Sequence, residues 1–505
     1  MTDTTRLKAP LERASRTARL IMLASFMACS ATFAIFRAPL LANVDALTDA
    51  EITEAIETQF RIQKGVPFNR IDVETEDGVV TLRGLAFHVL AKERASVMAQ
   101  GVRGVLGVVN RIAVLPPARS DSSIRNDITR ALFRNRATEG RDARIWVREG
   151  EVTLTGTVES AREKELVGLV AKGILGVKSV QNDIVVEPEA LRPATEIKEE
   201  IVETLRWDTL VDDALIAVHV DDAGRVALAG VVGSAAEKER AIEQSRVQGV
   251  VEVTAAELEI DPRARREELR GDKFAPRTDE EIRAAVERVF QHDPRVRPFH
   301  PVVAVRDGIV TLRGVVNQLR ARRLAEEDAR TVRGVWHVRN LLKVKPGDPV
   351  SDDETAENVR ETLRLDPYVQ RRGIEVAVHD GEVRLEGSVG SKFEKRRAES
   401  AASIAAGVVA VHNELRVSHD GANDGKSDWA IARDIRQELA WSPFVAADDV
   451  RVEVEDGTAT LSGRVDTWME WKSAEENAFE GGAAEVHNHL EVRYGPEARQ
   501  PSTQN

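Results

Sequence analysis

Val450-Arg451-Val452-Glu453-Val454-Glu455, then Asp456-Gly457, then Thr458-Ala459-Thr460-Leu461-Ser462-Gly463-Arg464-Val465: near the end of the chain an alternating apolar run breaks at an Asp-Gly pair and resumes. Val450, Val452 and Val454 alternate with polar residues on one side, and Ala459, Leu461, Gly463 and Val465 keep the alternation on the other. Period two on both sides of Asp-Gly predicts a β-hairpin whose two turn residues take positive φ to match the strand twist.

Working outward, the same pattern returns five more times. Equivalent turns stand at Asp77-Gly78, Glu149-Gly150, Asp307-Gly308 and Asp380-Gly381, with a longer Asp222-Ala223-Gly224 in the third copy. Six residues past each turn glycine come Gly84, Gly156, Gly230, Gly314, Gly387 and Gly463, spaced 72, 74, 84, 73 and 76 residues apart. A pitch near one small domain marks a tandem array. A charged helical stretch follows, such as Ser391-Lys392-Phe393-Glu394-Lys395-Arg396, and a second glycine is expected to end that helix: Gly104, Gly176, Gly249, Gly334, Gly407 and Gly482. A short last strand carries Val108-Val109-Asn110 and its counterparts ending in Asn182, Asn340, Asn413 and Asn488, whereas the third copy reads Val253-Thr254-Ala255.

An amphipathic helix precedes each hairpin, visible in Ile197, Ile201 and Leu205, in Ile282, Val286 and Phe290, and in Ile431, Ile435 and Leu439. Capping boxes are expected at Thr48 to Glu51, Thr278 to Glu281 and Ser351 to Glu354. The fold class is α+β: tandem αββαβ modules, each a three-stranded mixed sheet with two helices on one face, after an N-terminal hydrophobic helix. The expected divisions are 1–45 as signal or membrane anchor, modules at 46–116, 121–188, 194–262, 277–347, 351–418 and 427–494, a linker at 263–276 and a disordered tail at 495–505. The linker is expected to divide the array three plus three.

The order of helix, Asp-Gly hairpin, Leu-x-Gly, charged helix and Gly-Val-x-x-Val-x-Asn resembles the BON domain, named for bacterial OsmY and nodulation proteins, over roughly residues 47 to 494. The third copy departs by lacking the Asn, and the sixth by Gly482-Ala483 in place of Gly-Val. The resemblance implies a periplasmic or envelope setting, a role in osmotic or envelope stress, direct binding of anionic phospholipid in some members, and no catalysis. It leaves open a second class, a protein-interaction array within an envelope or secretion assembly.

Composition agrees with folded modules. The 505 residues are 42% hydrophobic and 31% charged, with 4% aromatics, so the cores must be aliphatic. A net charge of -13 gives no general attraction for polyanions, and nucleic acid is not an expected partner. A single cysteine, Cys29, excludes an intramolecular disulfide and a thiolate cluster. Arg6, Lys8, Arg13, Arg16 and Arg19 precede an apolar run from Leu20 to Phe36. That run suits either an uncleaved anchor or a cleaved signal, with a lipidated Cys29 as a third form, and each exports the rest of the chain.

No nucleophile elbow, P-loop or His-Glu-x-x-His is present, and no catalytic residue, metal or cofactor is expected. His487-Asn488-His489 places two histidines on one strand face, most simply as surface residues. Shallow modules of this size are expected to be poor hosts for a deep pocket. Gly84, Gly156, Gly230, Gly314, Gly387 and Gly463 are read as structural, letting a helix pack closely across a strand without a side chain. The candidate membrane contacts are Trp468, Met469, Trp471 and Lys472 at a helix start, and Arg320, Arg322 and Arg323 in the fourth copy, with Arg330 and Arg333 further on. For the arginines the plainer reading is a solvated face paired with Glu326, Glu327 and Asp328.

Overall fold

A computed structural model describes residues 47–63, 65–134, 138, 142–188, 192–265, 277–347, 350–366, 368, 369, 373–390, 392–417, 426–445 and 447–492. The expected N-terminal signal or anchor, most of the linker and the tail lie outside the described residues.

Six αββαβ repeats are present. The first runs Asp49–Gln63, Ile71–Glu76, Val79–Ala86, Val89–Gln100 and Gly107–Val114; the sixth runs Asp428–Trp441, Val450–Glu455, Thr458–Val465, Trp468–Glu480 and Glu485–Val492. In every sheet the hairpin's second strand is central, antiparallel to the first strand and parallel to the last, which returns by way of the second helix. Alternation on the central strand buries Val80 and Leu82, Val152 and Leu154, Val226 and Leu228, Val310 and Leu312, Val383 and Leu385, and Ala459 and Leu461 beneath the two helices. The helix trios Ile197, Ile201 and Leu205, Ile282, Val286 and Phe290, and Ile431, Ile435 and Leu439 are all buried against them. The other face of each sheet is left uncovered by its own helices.

Both residues of the Asp-Gly turns take positive φ, as at Asp77 (49°) and Gly78 (74°), while the longer third turn has it only at Gly224. A carboxylate from the start of the first helix holds each two-residue turn. Asp49 accepts from the N–H groups of Asp77 and Gly78, both at 2.9 Å, and Asp121, Asp279, Asp352 and Asp428 repeat the contact. Repeat three begins its helix at Ala194 and closes its turn locally, with Asp221 accepting from the N–H groups of Ala223 and Arg225.

The last-strand asparagine is a tie between layers. Asn110 donates to the Lys92 carbonyl in the second helix at 2.6 Å and accepts from Ile112 N–H; Asn182, Asn340, Asn413 and Asn488 do likewise. In repeat three, where Ala255 is buried and the last strand bulges between Thr254 and Glu257, Lys238 Nζ makes the link by donating to the Leu258 carbonyl at 2.6 Å.

Three expectations are corrected. Gly84 is not bare to admit a helix: a Cβ there would stand 2.0 Å from the carbonyl oxygen of Arg70, just before the first strand, and its φ is +123°. Gly230, Gly387 and Gly463 meet the carbonyls of Leu215, Gly373 and Asp449 in the same way. Gly104 does not end its helix, which is capped at Gly101; it lies in the next turn, where its carbonyl faces Gly78 at a distance no Cβ on Gly78 would tolerate. The Thr48 and Thr278 capping boxes form fully, but at Ser351 only half does, with Glu354 N–H donating to the serine hydroxyl.

The repeats pack on one another, and the contacts recur after three repeats. Val89 at the start of the second helix of repeat one enters the core of repeat two, and Leu319 at the same position of repeat four enters the core of repeat five. Trp207, closing the first helix of repeat three, packs into repeat four and accepts at its carbonyl from Arg333 N–H at 2.8 Å. Trp441, its counterpart in repeat six, packs into repeat one and accepts from Arg103 N–H at 2.9 Å. Repeat three therefore joins repeat four as repeat six joins repeat one.

Candidate functional site

Packing between repeats determines what each candidate residue can reach. Trp471 packs against the core of its own repeat, while Trp468 stacks on it at 6.2 Å between centroids and is covered by the Arg330 guanidinium of repeat four at 5.0 Å. Met469 is half-buried, and the half-buried Lys472 lies 3.8 Å from Glu476. The helix start thus presents part of its apolar surface to another repeat.

The arginines of repeat four diverge. Arg322 donates to the Asn340 carbonyl in its own sheet at 3.4 Å, and Arg323 pairs with Glu399 of repeat five at 2.6 Å. Arg330 pairs with Glu326 as well as covering Trp468, and Arg333 is buried at the junction with repeat three near Asp213, 3.4 Å away. They form no common basic patch. Arg320 stands apart: among the described residues it has no hydrogen bond or ion pair, and it lines a cavity.

That cavity, about 310 Å³, lies between repeats two, four and five, with Leu90 of repeat one at its wall. The expectation of shallow surfaces is corrected between the repeats, because residues of the second helices of repeats two, four and five, including Leu166, Leu324 and Ala401, line a common space that none of them fills. The walls are apolar, including Leu166, Leu169, Val170, Phe299, Leu324 and Ile404. Four arginines reach it. Arg130 pairs with the buried Asp127, Arg295 with the buried Asp293 at 2.5 Å, and Arg397 with Asp366 at 2.7 Å, leaving Arg320 as the fourth. Burial, and then the positive Arg295 and Arg397, press the Arg320 pKa down to about 10. Asn317, also at the wall, has a buried side-chain oxygen with no partner.

Beside the cavity is a buried charge network. Asp208, the C-cap of the first helix of repeat three, receives Arg240 at 2.8 Å and Gln244 at 2.9 Å. Burial works against the Asp293 carboxylate, yet Arg295 holds it below the ordinary range; Asp328 close by is pushed well above it by burial and by the charge of Asp293. This network ties repeats together, and sequence reasoning missed it because its members come from different repeats. The turn-holding aspartates did leave a signal, a constant 28 residues ahead of each Asp-Gly or Glu-Gly turn.

His487 and His489 are exposed on the open sheet face with ring centroids 6.3 Å apart, and among the described residues no group of His, Cys, Asp or Glu is arranged to hold a metal ion. No helix of the described residues is long and apolar enough to cross a membrane.

Comparison with known proteins places this architecture. The BON domain family matches residues 48–116, 120–188, 193–262, 278–346, 351–419 and 427–494. Osmotically-inducible protein Y of Escherichia coli (strain K12) is 28% identical over 145 residues, covering 27% of this chain and 72% of that protein. Among solved structures, CdsD, a structural protein of the Type III secretion system of Chlamydia trachomatis, is 13% identical and covers 44% of this chain and 92% of its own, with a TM-score of 0.13; its C-terminal domain matches at 13% identity and a TM-score of 0.12, covering 44% of this chain and all of its own. With all six repeats matched in order, this chain belongs to the BON domain family.

Proposed function

We propose that this protein is a non-catalytic, envelope-associated factor of the osmotic-stress type, acting in the periplasm as a preassembled scaffold for envelope components. The observation that carries this reading is that the helices cover one face of each sheet and carry the junctions between repeats, while the second faces of the sheets hold exposed residues. Those faces hold exposed apolar residues, among them Trp146 and Val185 in repeat two and Val302 and Leu341 in repeat four. Scattered exposed apolar residues are ordinary, but rows of them on a rigid sheet suit protein docking. Kinship with an osmotically inducible protein supports the setting.

The other form of the envelope reading is contact with anionic phospholipid through Trp468, Met469, Trp471 and Lys472, and what favours it is the half-exposure of that helix start. One experiment separates the two. Photo-crosslinkers at Trp146 and Val302 in cells, beside flotation of the purified chain with anionic vesicles at low salt, should give a dominant protein adduct and no flotation. Flotation abolished by Trp468→Ala, without a protein adduct, would overturn the scaffold in favour of lipid contact. Whether the first segment tethers the chain to the inner membrane or is removed is read from the mass of the mature N-terminus in fractionated cells.

A further inference from the structure

The cavity between repeats two, four and five has features that scaffolding does not require. A filler of space alone would be apolar throughout, and a structural ion-pair site would balance its charges. Here Arg130, Arg295 and Arg397 are each paired with an aspartate and Glu361 at the wall with Arg364, whereas among the described residues Arg320 has no ion pair. A half-buried guanidinium with no hydrogen bond or ion pair among the described residues is incompletely compensated, and the neighbouring guanidiniums of Arg295 and Arg397 oppose its charge more strongly than Glu327 and Asp293 favour it. An anion delivered to Arg320 would supply the missing partner and offset the two neighbouring positive charges. The volume, about 310 Å³, lies at the low end of the roughly 300–1,000 Å³ typical of small-molecule sites. It has room for one hydrocarbon chain and not two.

We propose that this cavity binds a single-chain anionic amphiphile, a long-chain carboxylate whose head sits on Arg320 and whose chain lies along Leu166, Leu169, Val170, Phe299 and Leu324. The site goes beyond the scaffold reading and stands whether or not the sheet faces dock a partner. Its wall comes from four repeats together, so an isolated repeat does not contain it. Binding would join repeats two, four and five through one ligand and stabilise their packing.

The test uses the full chain, stripped of bound lipid on a hydrophobic resin, titrated calorimetrically with hexadecanoate and followed by native mass spectrometry. Expected are one hexadecanoate per chain, a rise in melting temperature with ligand, and at least tenfold weaker binding for both the methyl ester and the Arg320→Gln variant. Arg320→Lys, which keeps the charge, should retain most of the affinity, so it guards against a Gln variant that merely misfolds. Because Arg320 makes no hydrogen bond or ion pair with the described residues, Arg320→Gln should melt no lower than the parent. No binding by the folded chain, or binding unchanged in Arg320→Gln, would overturn the proposal. So would inorganic phosphate matching hexadecanoate, which would mean an ion site, or a single-chain phospholipid binding more tightly, which would reassign the head to phosphate. Failure here leaves the crosslinking result untouched, so the two readings fall separately.

Discussion

The carbonyl of Trp441 in the sixth repeat accepts a hydrogen bond from the backbone N–H of Arg103 in the first, at 2.9 Å, across more than three hundred residues of sequence. The Arg103 side chain reaches the same segment, donating to the carbonyl of Val445 at 3.1 Å, and the indole is buried in the core of repeat one. Trp207 and Arg333 make the equivalent junction between repeats three and four, so one device joins the two halves twice.

Trp441→Ala should therefore act on two repeats at once. Loss of a buried Trp costs about 3–5 kcal/mol, and hydrogen exchange read repeat by repeat should quicken in repeats one and six while repeat four keeps its protection. Trp207→Ala should quicken repeats three and four instead. Uniform quickening in either variant would mean that the junctions do not act locally.

Glu438 gives the first-to-sixth junction a pH dependence. Burial, and then the nearby Glu480, push its carboxyl up to about 8, and one of its oxygens is buried without a partner. Between the ordinary carboxylate value and about pH 8 the folded protein holds a proton that the unfolded chain has lost, so stability falls as pH rises through that window and is level above it. Glu438→Gln should raise the denaturation midpoint at pH 8 by the equivalent of about 1–3 kcal/mol and leave it nearly unchanged at pH 4.5. An equal gain at both values would count against the ionisation account.

His88 carries the opposite sign. It caps the second helix of repeat one, accepting from Ala91 N–H at 3.0 Å, and meets Tyr368 of repeat five edge to face at 4.4 Å. Burial, then the positive Arg397, hold its pKa down to about 4. Its contribution is present above about pH 6.5 and is lost as pH falls from there toward 4. His88→Asn keeps a capping side chain but cannot take up the proton; melting curves from pH 4 to 8 should show a flatter acid limb, at a neutral-pH cost of about 1 kcal/mol for the lost aromatic contact. An acid limb as steep as in the parent would remove His88 as its source.

Glycines that look alike in the sequence should differ when changed. Gly84→Ala drives a methyl into the Arg70 carbonyl, whereas a Cβ at Gly314 meets nothing nearer than Leu342 at 3.5 Å. Both variants carry the positive-φ cost of about 1–2 kcal/mol, and only Gly84→Ala must also move backbone. Urea denaturation should show the larger loss for Gly84→Ala. Equal losses would mean that the start of the first strand shifts freely.

Each repeat was legible in the chain by itself, because its determinants are local. Alternation around Asp456-Gly457 dictates the hairpin, spacing of four in Ile431, Ile435 and Leu439 dictates the helix that covers it, and constant pitch multiplies both by six. Arg320 could be recognised only as one member of an arginine cluster, since nothing in its neighbours along the chain distinguishes it from Arg322 or Arg323. Tertiary packing separated them, turning one to its own sheet, one to Glu399 of the next repeat, and the third into a cavity whose wall is drawn from four repeats. Such contacts join residues tens to hundreds of positions apart, and periodicity, which records only which face of an element is apolar, carries no information about which other repeat will cover it.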